Sequence, residues 1–355
     1  MLKRSVHAVV VFISRFAAKL LPDRVPITFV GADAVEQLCQ SIGHRGVAKV
    51  LVVTDATLVQ LGIVDRITGA LDRAGIDWAV YDDVEPDPTF AVVEDGHTRY
   101  RSEGCDGVVA VGGGSPIDAA KMIAALATNP GPLTKLEGKF RVRKSPAPLF
   151  AVPTTAGTGS EGTVAAVVSD NDTHAKKFFL DPKLLPAMVA LDPTLMTGLP
   201  GPITAATGMD ALTHAVESYI AKTSTPRTEE YATTAVRLVF RHLPTAYSNG
   251  EDLEARSGMA LASYYAGLAF TRTSVGYVHA VAHTLGAYYG TPHGLANAIA
   301  LPRVLEFSRP SAEPQLARLA DLIDLGGSSD TDKALRFIGA VRELMAKVEI
   351  PSTLD

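Results

Sequence analysis

Gly107-Val108-Val109-Ala110-Val111-Gly112-Gly113-Gly114-Ser115-Pro116 is the stretch on which the fold turns. Its apolar first half reads as a buried strand, and the three glycines permit a tight turn. Pro116 suits the first turn of a helix running to about Thr128, where its missing N–H costs nothing. Strand, glycine turn, helix is the arrangement that sets backbone N–H groups against a phosphate. The helix N-terminus adds roughly half a positive charge there. The spacing is not G-x-G-x-x-G, so the standard dinucleotide fingerprint is absent, and a simple tight turn fits the glycines equally.

Outward from this centre, short apolar runs alternate with helical stretches. Residues 49–54, 78–81, 107–111 and 149–152 read as strands, and 56–74, 90–102 and 116–128 as helices. Such βαβα alternation predicts a parallel sheet with helices on its faces. Residues 164–169 read as a further strand in a projecting hairpin. A second loop, Pro153-Thr154-Thr155-Ala156-Gly157-Thr158-Gly159-Ser160-Glu161, also follows an apolar strand and is dense in hydroxyls and glycines. Asp55 ends the 49–54 strand. A carboxylate there suits ribose hydroxyls and repels a 2'-phosphate, favouring NAD over NADP, and it suits equally the N-cap of the next helix.

Beyond Pro200-Gly201-Pro202 every pattern is helical: 205–221, 229–243, 253–270, 278–288 and from 314 onward. The expected division is a basic extension (1–22), an α/β dinucleotide-binding domain (23–192) and an all-helical domain (193–355), with a small-molecule site in the cleft between the last two. A chain of 355 residues suits two domains at roughly 150 residues each. With 33 basic and 38 acidic residues, net charge −5 and no charge run, the chain shows no nucleic-acid footprint. Its two cysteines, Cys39 and Cys105, make neither a disulfide scaffold nor a thiolate zinc site. No apolar run reaches the roughly 18 to 20 residues of a membrane span, and a cytoplasmic location is expected. In the first 22 residues Arg15 interrupts the apolar run that a secretory signal would need. At helical spacing Arg4, His7, Ser14, Arg15 and Lys19 fall on one side, with Val11 breaking the stripe, which suits instead a basic amphipathic helix on protein or on a membrane surface.

The chemistry-bearing residues lie in the helical half. Asp210 and His214 stand four apart and share a helix face. His279 and His283 repeat that spacing, and His293 follows just after a turn at Gly290. Four of nine histidines and one aspartate in Ala-rich surroundings point to a divalent metal. Imidazole and carboxylate without thiolate suit iron, zinc, manganese or nickel. Glu217 shares the face of Asp210 and His214, where support of a ligand is expected rather than ligation. His7, His44, His97, His174 and His242 stand alone and read as structural.

GGGSPIDAAK (112–121), PTTAGTGSE (153–161), DPKLLP (181–186), GMDALTHAVESY (208–219) and VHAVAHTLGAYYGTPHGLANAIALP (278–302) occur in this order. With these motifs the chain resembles the iron-containing (group III) alcohol dehydrogenase family. The resemblance implies a metal held by Asp210, His214, His279 and His293, iron(II) first and zinc(II) second, with His283 as an additional active-site histidine. It implies NAD bound by Asp55 at the adenosine ribose and by Gly113, Gly114 and Ser115 at the pyrophosphate. Asp118 carries over as a cofactor-side carboxylate, Thr154, Thr155 and Thr158 lie along the cofactor, and Lys176 lies near its ribose. Phe270 falls on the substrate side. The implied reaction moves a hydride between a small alcohol or aldehyde and NAD(H), in a homo-oligomer, expected to be a homodimer. A dehydroquinate-synthase-like lyase, a transhydrogenase with retained cofactor and a polymer-forming relative are the rival readings. The chain departs from the family at Asp87, where Asn is common, and at Gly162, where a β-branched residue is usual. It also carries about 22 residues before the family's usual start and is expected to lack part of its usual C-terminus.

Overall fold

The computed structural model describes residues 24–171, 173 and 175–353. The expectations for residues 1–22, His7 and His174 lie outside the described residues. The chain forms two compact units. One is α/β, Val25–Thr155 with Ser160–Met196; the other is helical and contains Ala156–Gly159 and the chain from Thr197 onward.

The α/β unit begins with β1 (Ile27–Val30), α1 (Ala34–Gly43), β2 (Lys49–Val53), α2 (Ala56–Gln60), α3 (Ile63–Arg73) and β3 (Asp77–Tyr81). It continues with α4 (Phe90–Ser102), β4 (Gly107–Gly112), α5 (Gly114–Thr128), β5 (Gly138–Lys139), β6 (Leu149–Pro153), β7 (Ala165–Ser169), β8 (Lys176–Leu180) and β9 (Met188–Leu191). Six strands form one sheet in the order β1-β9-β6-β4-β2-β3, and every pairing in it is parallel. The sheet is covered on both faces, which is why its central strands are unbroken apolar runs rather than alternating ones. Every residue of β4 and β6 is buried. Val52, Val109, Val111 and Phe150 cluster with Leu38 and Ile42 of α1 and Ile67 and Leu71 of α3. Burying each such side chain contributes about 1.5–3 kcal/mol. Helix α5 packs on β2, β4 and β6 and buries Ile117, Met122 and Ile123 completely.

The parallel sheet and the hairpin agree with the sequence reading; three details differ. Six strands pair where four were expected, because β1 and β9 are only four residues long, too short for a pattern to stand out in the sequence. The 56–74 helix is two helices, broken where Gly62 adopts a left-handed conformation (φ 69°) as the N-cap of α3. The hairpin strand β7 pairs antiparallel with β8, and β5 adds to β8 to complete a separate three-stranded sheet.

The helical unit comprises α6 (Gly201–Ile220), α7 (Pro226–Ser248), α8 (Leu253–Thr273), α9 (Tyr277–Tyr289), α10 (His293–Leu322) and α11 (Asp330–Lys347), with no strand among its described residues. Helix α6 is central, packing on α7, α8 and α10 and burying most of its length. Starts are set by side chains: Thr225 and Thr228 form a capping box on α7, Asp252 caps α8 and Ser329 caps α11. Helix α9 has Gly276 at its N-cap and no cap of that kind. Helix α10 runs through Pro302, Pro310 and Pro314, where a segment beginning at 314 was expected. Each interior proline costs about 3 kcal/mol. Burial of Leu301, Leu305, Ala312, Leu316 and Leu319 along the same helix offsets that cost.

Candidate active site

In the α/β unit the chain passes from β2 outward to β3 and returns to β4 on the other side of β2. Ligands of open parallel sheets bind beyond the carboxyl ends of the strands at such a reversal. Asp55 stands at that end of β2. It is extended (φ −116°, ψ 157°), and its side chain accepts a hydrogen bond from the Leu58 N–H at 3.0 Å, so it does cap α2. Gly112 ends β4 at φ 145°, and a Cβ there would lie 2.5 Å from the Pro116 ring. Glycine is therefore required by both backbone and packing. Gly113 is the N-cap of the 15-residue α5 and lies against Thr155, whose Oγ1 would be 3.2 Å from a Cβ at Gly113. The two loops read from the sequence thus adjoin. Gly113, Gly114, Ser115 and Thr155 remain partly exposed, with the positive end of α5 among them, whereas Thr154 is buried and its N–H donates to the Gly112 carbonyl at 3.1 Å.

Asp118 is engaged inside the unit. It accepts from Ser160 Oγ (2.5 Å) and the Val167 N–H (2.9 Å) and lies 3.6 Å from Lys121 Nζ. Lys121, which the sequence reading passed over, is fully buried. It donates to the Ser160 carbonyl (2.8 Å), Thr163 Oγ1 (2.8 Å) and the Ala165 carbonyl (2.5 Å). A lone cation in an otherwise apolar helix was the available signal. Burial pushes its ammonium down to about 8, with Asp118 and Glu161 opposing. Lys176, on β8, pairs at 2.7 Å with Asp87, the residue that departs from the family and adopts φ 58°.

In the helical unit α6 supplies Asp210, His214 and Glu217 from one face, α9 supplies His279 and His283, and α10 begins at His293. Ligand atoms of Asp210, His279 and His293 lie within 4.8 Å of one another. Both Nε2 atoms are 3.6 Å from Asp210 Oδ1. His214 stands beside this trio, its Nδ1 3.9 Å from Asp210 Oδ2 and its ring stacked 4.4 Å from that of His279. Its other ring neighbour is Phe270 at 4.1 Å, which sets the expected substrate-side ring directly against an expected ligand. His283 lies outside the trio and is half-buried, its ring stacked at 5.3 Å on that of His293. Thr158 belongs to this unit through Ala156–Gly159, which is held where the Gly159 N–H donates to Ser263 Oγ at 3.1 Å.

The donor set fits a divalent cation. His279 Nε2 and His214 Nδ1 are buried with no hydrogen-bond partner among the described residues, an arrangement that is costly unless a cation takes the lone pairs. Burial pushes His214 down to about 3, so it stays neutral as a ligand must. Burial would raise Asp210, but His214, His293 and His279 hold it below the ordinary carboxylate range. Burial lowers His279, while its contacts with Asp210 and Glu217 carry it up to about 9, so an ion entering the cluster displaces a proton from this imidazole. The His293 side chain is 39% exposed, leaving one side of the cluster open, as catalytic metals require. A further residue escaped the sequence reading. Asn297, fully buried one turn after His293, donates to Asp210 Oδ1 at 2.7 Å. Its signal was one polar side chain in an apolar run at i+4 from a ligand.

Comparison with known proteins decides what this arrangement belongs to. The model of the iron-containing alcohol dehydrogenases matches residues 26–193, and that of the C-terminal region of the Fe-containing alcohol dehydrogenase family matches 204–355. This chain belongs to the iron-containing alcohol dehydrogenase family.

Relatives of this alcohol dehydrogenase family member include the 1,3-propanediol dehydrogenase of Klebsiella pneumoniae, 42% identical over 335 residues (92% of this chain, 86% of the relative). The NAD-dependent methanol dehydrogenase of Bacillus methanolicus is 38% identical over 329 residues, with coverage of 92% and 86%. A crystal structure of 1,3-propanediol oxidoreductase superposes with a TM-score of 0.90 at 42% identity, covering 92% of this chain and 86% of that one. The resemblance read from the five motifs is borne out, as is the α/β-plus-helical fold. The chain is an oxidoreductase of this family, and the dehydrogenase names of its relatives favour hydride transfer over the lyase and transhydrogenase readings. Among the described residues no helix is long and apolar enough to cross a membrane.

Proposed function

We propose that this alcohol dehydrogenase oxidises a small unbranched primary alcohol with NAD, and reduces the corresponding aldehyde with NADH, at a divalent iron held by Asp210, His214, His279 and His293. The observation that carries this reading is the Asp210, His279 and His293 cluster, with its buried imidazole nitrogen that has no hydrogen-bond partner among the described residues. Iron bound there supplies Lewis acidity toward an alcohol or carbonyl oxygen. The first-turn N–H groups of α5 bind the cofactor pyrophosphate, while Asp55 accepts from the adenosine ribose hydroxyls and disfavours a 2'-phosphate. Thr154, Thr155 and Thr158 line the cofactor and Lys176 approaches its ribose, with Asp118 bracing the second loop through Ser160. Phe270, stacked on His214, presents an apolar ring that suits a short carbon chain and excludes water. Bound NAD would supply a hydride acceptor for the carbinol carbon, and His283, which is half in solvent, would carry the hydroxyl proton outward. Zinc is the second candidate for the same donor set. We place the enzyme in the cytoplasm as a homodimer, with the net charge of −5 supporting the first and the family resemblance the second.

The test combines metal analysis of protein purified without chelator with NAD(H)-linked assays on a panel of alcohols and aldehydes. His293→Ala is expected to lower bound metal and turnover together, by more than 100-fold in turnover. A His293→Ala enzyme with full metal and full turnover would overturn the reading.

A further inference from the structure

Helix α9 carries His279 but starts on a glycine, so its first N–H groups have no cap within their own chain segment. The cap comes from α6. Glu217, buried and seven residues after Asp210, accepts from the Gly276 N–H at 2.8 Å through Oε2 and from the Val278 N–H at 2.6 Å through Oε1. The same Oε2 lies 2.7 Å from His279 Nδ1. The approach depends on Gly276, because a Cβ there would stand 2.7 Å from Glu217 Oε1.

Three donors thus converge on one carboxylate, and their chemistry dictates the histidine's tautomer. A carboxylate only accepts, so Nδ1 carries the proton. Nε2 is then the nitrogen left to bind an ion, giving up its own proton as the ion enters; it lies 3.6 Å from Asp210 Oδ1 with no hydrogen-bond partner among the described residues. An orienting carboxylate behind an imidazole ligand fixes the ring and raises its basicity toward the ion. Here the same carboxylate also fixes where the helix bearing that ligand begins.

We propose that Glu217 is the positioning residue of the metal centre, setting the tautomer and orientation of His279 and the start of α9 through one carboxylate. This rests on the proposed ligand set, and it adds a determinant of metal affinity that touches neither metal nor substrate. Glutamine is the discriminating substitution. An amide presents one accepting oxygen and one donating NH2, so it cannot accept from all three partners. With the amide nitrogen in the Oε1 place it faces the Val278 N–H and that bond is lost; with the amide nitrogen in the Oε2 place the bonds from Gly276 and from His279 Nδ1 are lost together.

The experiment measures the dissociation constant for Zn2+ by chelator competition, and the visible absorption of the Co2+ form, in the wild type, Glu217→Gln, Gly276→Ala and His293→Ala, with folding checked by circular dichroism. Folded Glu217→Gln is expected to bind Zn2+ about 10- to 100-fold more weakly and to show an altered Co2+ spectrum. Gly276→Ala, which crowds the carboxylate without removing it, should shift affinity in the same direction. A purely structural role would lower the melting temperature and leave both readouts at wild-type values. Zn2+ affinity within twofold of wild type in Glu217→Gln, while His293→Ala is impaired, overturns the proposal and leaves the metal reading intact. If Glu217→Gln does not fold, wild-type affinity in Gly276→Ala overturns it instead. Wild-type affinity in His293→Ala overturns both.

Discussion

The Asp55 carboxylate accepts the Leu58 N–H at 3.0 Å and starts α2, yet it also stands where the adenosine ribose of a dinucleotide is expected. The two tasks separate on substitution. Asn caps a helix about as well as Asp, so Asp55→Asn should leave the melting temperature within a few degrees of wild type. It removes the charge that opposes a 2'-phosphate, so the ratio of kcat/KM for NADP to that for NAD should rise about tenfold, equivalent to ~1.4 kcal/mol. An unchanged ratio would separate Asp55 from cofactor choice. Glu161 is the other informative single residue. Burial raises its carboxyl from the usual 4.5 to about 7, with its own N–H and Lys121 opposing. The fold therefore holds a proton that the unfolded chain has released between those values. The stability that Glu161 contributes is full below about pH 4.5 and declines as pH rises toward 7. Lys121 stays protonated in both states across that window, since its lowered value is still about 8. Melting curves from pH 5 to 7 should fall less for Glu161→Gln than for the wild type.

At the scale of elements, α5 does more than present its N-terminus. Asp118 and Lys121 leave it one turn apart and reach the segment from Ser160 to Val167, joining the helix to the end of the second loop and to β7. Lys121→Met leaves Asp118 and two carbonyls buried without their ammonium, and breaking such a pair from one side costs about 3–5 kcal/mol. Chemical denaturation should show that loss, and Lys121→Met with Asp118→Asn should recover part of it. A single variant as stable as wild type would contradict the bracing role. Lys121 carries only a weak signal as a fold determinant, a lone cation in an apolar helix, because a lysine in a sequence reads as surface. Its burial follows from which carbonyls the Ser160 loop turns toward it. The glycine turn before α5 was legible for the opposite reason: a strand, a φ near 145° and a proline in the next turn are all local demands.

For the molecule as a whole, metal and fold are linked. The proposed ligands come from three helices, α6, α9 and α10, so an ion that binds the folded unit stabilises it by mass action. At free metal 100 times Kd the gain is about 2.7 kcal/mol. Calorimetry with and without chelator should show a lower melting temperature for the stripped protein, recovering with added Fe2+ or Zn2+ in proportion to the logarithm of its concentration. No change on stripping would mean that the cluster does not hold the ion.

By itself the sequence determined the local features. These were the βαβα order, the glycine turn after β4, the cap and strand end at Asp55, and the four-residue spacings that put Asp210 with His214 and His279 with His283. Each depends on neighbours within about one turn or one strand, which a linear reading can see. The tertiary structure alone decided what comes together from afar. It paired the four-residue strands β1 and β9, carried α10 through three prolines, and buried Lys121. It set Asn297 against Asp210, chose His279 as the imidazole that Glu217 supports, and left His214 stacked between His279 and Phe270 rather than in the closest trio. The physical reason is that these contacts are stabilised by burial and by hydrogen bonds between residues tens of positions apart, and no period or spacing encodes which distant partner will fill a given face.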